Sequence, residues 1–150
     1  MRISAILAVW VVVGLAVLGL RAADTAPATG SQPAKAELQA IRYQRSGGFA
    51  GTNDVIEITP AGAVTVQGKM MGNAKGQLTA QQIAALVPLF ADWKSLKADY
   101  PAPAGSADGF NIKIKYGTTE VSASDMNGTL PKTFKAAQEA LEKIAADVKK

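Results

Sequence analysis

A chain of 150 residues, 48% of them hydrophobic and 19% charged, suits one folded domain of ordinary size plus a leader. Cysteine and histidine are both absent, which excludes disulfides, thiolate or imidazole metal ligands and the commonest general base, and leaves the fold to rest on its core. The formal net charge is +4, but Arg2 and Arg21 belong to the leader and the remaining charges are interspersed, so nucleic acid is not an expected partner.

Residues 3–20 are apolar apart from Ser4 and two glycines. At ~1.5 Å per residue they reach ~27 Å, close to the ~30 Å thickness of a bilayer's hydrocarbon core. Residues 1–21 therefore read as a signal peptide or a membrane anchor, with a weak Ala26-Pro27-Ala28 as the better cleavage site. Either reading exports the C-terminal part of the chain, to stand anchored outside the membrane or be released as a periplasmic or secreted protein. Residues 22–36 are Ala, Thr, Pro, Gly, Ser and Gln apart from Asp24 and Lys35, with almost no bulky side chain, a flexible linker. Residues 37–150 then form a single α+β domain.

Leu38, Ala40, Ile41 and Tyr43 stand among polar residues and mark a first strand, whose inward face alternation leaves open. It ends at Arg45-Ser46-Gly47-Gly48-Phe49-Ala50-Gly51-Thr52, where three glycines in five residues shape a sharp connection around one aromatic ring. Phe49 has two readings: a plug for the end of the core, which general loop statistics favour, or a side chain presented on a rigid recognition loop. Residues 54–59 and 63–67 are β-branched runs joined by Pro60-Ala61-Gly62, a hairpin. Residues 68–77, with three glycines and the Met70-Met71 pair, read as a mobile surface loop.

Thr79 can cap a helix, Gln82 can reciprocate and Leu78 can pack on Ile83, giving a capping box with a hydrophobic staple. Ile83, Leu86, Val87, Phe90 and Trp93 fall on one stripe, and Pro88 predicts a kink or restart inside it. Residues 99–107 read as coil. Residues 110–116 alternate strictly and Gly117-Thr118 turns them into a last strand over 119–123, with Lys113 and Lys115 on the wet face, where lysines discourage edge pairing. Asp125-Met126-Asn127-Gly128 opens like a calcium loop but lacks the later oxygen ligands and the closing glutamate. Pro131 introduces a final helix with Phe134, Ala137, Leu141, Ile144 and Val148 on its apolar face, and Lys135, Glu139 and Lys143 spaced for charge pairs on its wet one. The expectation is an antiparallel sheet of about five strands in βββαββα order, with both helices packed on it.

Residues 43–51, then Gly76-Gln77-Leu78-Thr79, Ala107-Asp108-Gly109-Phe110 and Ile114-Lys115-Tyr116-Gly117, resemble the emfourin family of proteinaceous inhibitors of thermolysin-like metallopeptidases. The similarity runs from about Gln39 to the last helix, and the first motif is the specific one. It implies a protein partner, a metallopeptidase, met by the glycine-rich loop, with Arg45, Ser46, Gly47, Gly48, Phe49, Gly51, Thr52 and Asp108 as the binding residues. The long apolar N-terminus departs from the inhibitor that names the family.

Catalysis has little to stand on: without histidine, cysteine or paired carboxylates, neither an enzyme nor a cofactor is expected, and the glycine loop has no P-loop lysine. Zinc in a target could still be approached by Asp54, by Asp108 or by a loop carbonyl. The alternative class is a non-catalytic envelope binding or adaptor domain, taking a protein or a small ligand on the wet sheet face or in a groove between helix and sheet.

Overall fold

A computed structural model describes residues 37–150. The leader and linker expectations for residues 1–36 fall outside them. Among the described residues no helix is long and apolar enough to cross a membrane.

The domain is α+β. Strands β1 (Ile41–Gly47), β2 (Thr52–Ile58), β3 (Ala63–Gln67) and β4 (Ala74–Gln77) precede helix α1 (Ala80–Leu86), and β5 (Asp99–Tyr100), β6 (Phe110–Tyr116) and β7 (Thr119–Ser124) precede helix α2 (Lys132–Val148). They form one seven-stranded sheet in the order β4-β3-β2-β1-β6-β7-β5. Every pairing is antiparallel except the two-residue β5, which lies parallel to β7.

The expected five strands are thus corrected to seven, and the helix order gains β4 before α1 and β5 after it. The supposed mobile loop ends in β4, where Val64 pairs with Gly76 and Val66 with Ala74. Its glycine and lysine carry little β propensity, so the pairing is supplied by β3 and by α2, whose Val148 would lie 2.8 Å from a Cβ on Gly76. β5 is too short to leave a period in the sequence.

Period two places Ile41 and Tyr43 of β1, Ile56 and Ile58 of β2, Val64 and Val66 of β3, Ile112 and Ile114 of β6, and Val121 and Ala123 of β7 on one buried face. Phe134, Ala137, Leu141, Ile144 and Ala145 of α2 join the same core. The charge pairs expected along α2 do not close: Lys135, Glu139 and Lys143 are outside ion-pair distance, as is common where solvent screens such pairs.

Thr79 and Gln82 form the expected capping box, with Thr79 Oγ1 accepting from Gln82 N at 3.2 Å and Gln82 Oε1 accepting from Thr79 N at 2.9 Å. The helix ends at Leu86, and the chain continues as 3₁₀ turns over Val87–Phe90 and Trp93–Ser95. Pro88 has no N–H to continue the α-helical ladder and crowds the preceding turn, which accounts for the change. Leu86, Val87, Phe90 and Trp93 of the expected stripe are buried nonetheless.

Register fixes where the connections fall. β1 ends at Gly47 beside the starts of β2 and β6, and β3 and β7 end on the same side. The connections over residues 48–51, 68–73, 101–109 and 125–131 therefore share one end of the sheet. Pro60, Gly117 and the entry of the chain at Ile41 lie at the other end.

Candidate functional site

Phe49 stands at the tip of the β1–β2 hairpin and is 97% exposed, which overturns its reading as a core plug. Gly47 pairs with Thr52, and Gly51 N donates to Gly48 O at 3.0 Å to close the turn. Gly48 and Gly51 carry φ of +67° and +56°, a region costly for residues with a Cβ. A Cβ on Gly48 would also lie 2.7 Å from the ring of Phe110, so the loop packs where only hydrogen fits. Gly48 N donates to Gly109 O at 3.1 Å, tying the loop to the start of β6.

The residues singled out from the sequence divide into two groups. Phe49 and Gly51 are presented, and Ser46 is part-buried on the outer face of the sheet, opposite Asn53 and Asn111. Thr52 is buried, its Oγ1 donating to Gly47 O at 3.1 Å. Arg45 faces the core side with its side chain 19% exposed, holding Asp54 at 3.3 Å and Glu142 at 3.8 Å while its guanidinium lies 5.0 Å from the Phe110 ring centroid. Arg45 and Thr52 are therefore supports beneath the loop, contrary to their reading as contact residues. Burial leaves Thr52 no surface to offer, and Asp54 and Glu142 occupy the arginine.

Asp54 was a candidate for approaching zinc; it is fully buried and already satisfied. Its Oδ1 accepts from Met70 N at 2.9 Å and Met71 N at 3.0 Å. Burial by itself pushes its pKa up, but the Met71 and Met70 amides and Arg45 outweigh that and hold the carboxyl below its ordinary range. The pattern was available in the sequence: Thr52, Asp54, Ile56 and Ile58 alternate on one face, so an inward carboxylate follows from the same period that places the isoleucines. Tyr43, also inward, donates its hydroxyl to Glu142 Oε1 at 2.7 Å. Burial, then this bond to a carboxylate, raise its pKa far above that of a free phenol.

Asp108 is exposed and, among the described residues, is the one non-glycine with positive φ, at 64°. It lines an open cleft of about 340 Å³ with Gly109, Phe110, Asn111 and Met126. Phe110 N donates to Asp125 Oδ1 at 2.8 Å, which uses that carboxylate to hold β6. Among the described residues no group of three or more acidic side chains could hold a metal ion.

The sequence reading missed how the exposed hydrophobic side chains distribute. Among the described residues the large ones left exposed are Phe49 at 97%, Met70 at 56% and Met126 at 46%, and all three sit on connections at the same end of the sheet. Arg45 Nη2 lies 3.7 Å from Met70 Sδ, and a Cβ on Gly109, which accepts from Gly48, would lie 2.5 Å from Met126 Cγ. Compared with known proteins, the chain matches no family model and no curated protein.

Proposed function

We propose that this is a non-catalytic, metallopeptidase-inhibitor-like domain of the emfourin type, exported across a membrane by the apolar residues 3–20 and either anchored by them or released. Its partner is a thermolysin-like metallopeptidase, and the contact is made by the loop over residues 48–51 with Phe49 at its tip. The observation that carries the reading is the gathering of Phe49, Met70 and Met126 at one end of the sheet. An apolar side chain held almost entirely in water has no role in the core, and exposed apolar side chains grouped together mark an interaction surface.

The physical logic is pre-organisation. The loop is closed by its own hydrogen bond, tied to Gly109 and packed on Phe110, so docking in a cleft would order few additional torsions. Asp108, exposed beside Gly109, is the carboxylate left free to approach a target's metal, now that Asp54 is committed to Arg45, Met70 and Met71. Co-elution of the purified protein with a thermolysin-like peptidase, together with loss of peptide hydrolysis, is the expected result. A failure to form any such complex at micromolar concentration moves the reading to an envelope binding or adaptor domain.

A further inference from the structure

The sheet ends in two unlike edges, β4 on one side and β5 on the other. β5 is two residues long and runs into Pro101 and Pro103, so it offers almost no backbone to a further strand. β4 is twice as long, contains no proline, and pairs with β3 without a bulge. Its register decides which backbone groups look outward. Leu78 N donates to Gly62 O at 2.9 Å, and from that bond alternation turns the N–H and C=O groups of Leu78, Gly76 and Ala74 toward β3. Those of Lys75 and Gln77 therefore point away from the sheet, at the spacing of an extended chain laid alongside.

The side chains around this edge define what such a chain would carry. Lys75 is exposed on the outer face, where it lines an open cleft of about 510 Å³ with Thr65, Gln67 and Asn73. Lys149 lies against the loop that leads into β4, its Nζ 3.9 Å from where a Cβ on Gly72 would stand. Neither lysine, nor the exposed Lys69 of that loop, is within ion-pair distance of a carboxylate among the described residues. On the inner face Ala74 and Gly76 are small, and Gly76 packs on Val148, which is only partly buried. Directly opposite residues on paired strands share a face, so a residue opposite Lys75 would meet a cation and one opposite Gly76 would meet Val148. β4 itself carries no carboxylate, so a second copy of this strand would not complement Lys75.

We infer that the β4 edge is a docking site for an extended acidic segment of a partner protein, which adds to the sheet as a further strand. A carboxylate of that segment faces Lys75, its neighbouring apolar residue lies over Gly76 against Val148, and Lys69 and Lys149 add positive charge at the Gly72 end. The inference does not rest on the peptidase reading, because β3 separates β4 from the strands that carry the Phe49 loop.

The probe is a blocked peptide of about seven residues in which glutamate alternates with valine, long enough to run past β4. It is titrated into the full chain in zwitterionic bicelles at low salt and followed by the backbone amides in a proton–nitrogen spectrum. The expected result is a saturable downfield shift of the Lys75 and Gln77 amides, with half-saturation below about 1 mM. A peptide of the same sequence, N-methylated on alternate residues so that it cannot pair along β4, should bind at least about tenfold more weakly, as should the parent peptide to Lys75→Glu. Lys113→Glu, on the exposed face of β6, should bind the parent peptide as the unaltered chain does. If Lys75→Glu loses its dispersed amide spectrum, the N-methylated peptide decides alone. No saturable shift at Lys75 and Gln77, equal binding of the N-methylated peptide, equal binding by a folded Lys75→Glu, or shifts of these amides with protein concentration alone, the mark of a second copy on the edge, overturns the inference.

Discussion

Gly48 packs so closely on Phe110 that a Cβ would lie 2.7 Å from the ring, whereas a Cβ on Gly51, three residues along the same loop, would meet nothing within 4 Å. Both have positive φ. Gly51→Ala should therefore cost only the left-handed backbone penalty of about 1–2 kcal/mol, and Gly48→Ala should cost clearly more, because Phe110 or the loop must shift. Thermal unfolding of the two variants checks this. Equal losses would mean that the loop does not rest on Phe110.

Acid should destabilise the domain through Asp54. Its carboxyl is held below the ordinary aspartate pKa in the folded state, so its stabilisation is present above about pH 4 and is lost as pH falls through the folded value. Asp54→Asn should lower stability at neutral pH by roughly 1–3 kcal/mol, since Arg45 would keep Glu142 but lose its closer carboxylate, and should flatten the acid limb. Denaturant unfolding from pH 7 down to pH 2 reads both effects.

Alkali should act through Tyr43. Its pKa is raised by burial and by the bond to Glu142, so the folded chain keeps a proton that the unfolded chain gives up near pH 10. The stabilisation is complete below that pH and declines above it as the pH climbs toward the folded value. In Tyr43→Phe the alkaline decline should differ in slope from the parent's, as measured by unfolding midpoints between pH 8 and 11; an identical slope would assign the pH dependence there to other groups.

Core assignment is tested by Ile112→Asp and Leu141→Asp, at positions 1% and 0% exposed. Either variant buries an unpaired charge at a cost of several kcal/mol, against a total stability of about 5–15 kcal/mol, and should not fold. Lys113→Asp, on the exposed neighbour in β6, should melt within a few degrees of the parent. Cooperative melting of Ile112→Asp at the parent temperature would reverse the assignment of the sheet faces.

Much of this fold could be read from spacing, because period two and period 3.6 record which face meets the core. Ile112, Ile114, Phe134, Ala137 and Leu141 fell where alternation and helical steps put them, and the Thr79–Gln82 cap followed from two side chains with one purpose. β4 and β5 were not legible, since Ala74–Gln77 has no intrinsic strand preference and Asp99–Tyr100 is two residues held by β7. The glycine loop was legible as a shaped turn, but the direction of Phe49 was not, because glycine permits either course and the choice depends on Phe110 and Gly109, distant in sequence.

The most direct test is inhibition of a thermolysin-like peptidase by the purified protein and by its Phe49→Ala variant. Phe49 is 97% exposed, so the variant should unfold within about 0.5 kcal/mol of the parent. The parent should inhibit at or below micromolar concentration, and the variant should be weaker by at least about thirtyfold, the loss of roughly 2 kcal/mol expected for an interface hot spot. No inhibition by the parent at micromolar concentration, or equal inhibition by a folded Phe49→Ala, would contradict the proposal.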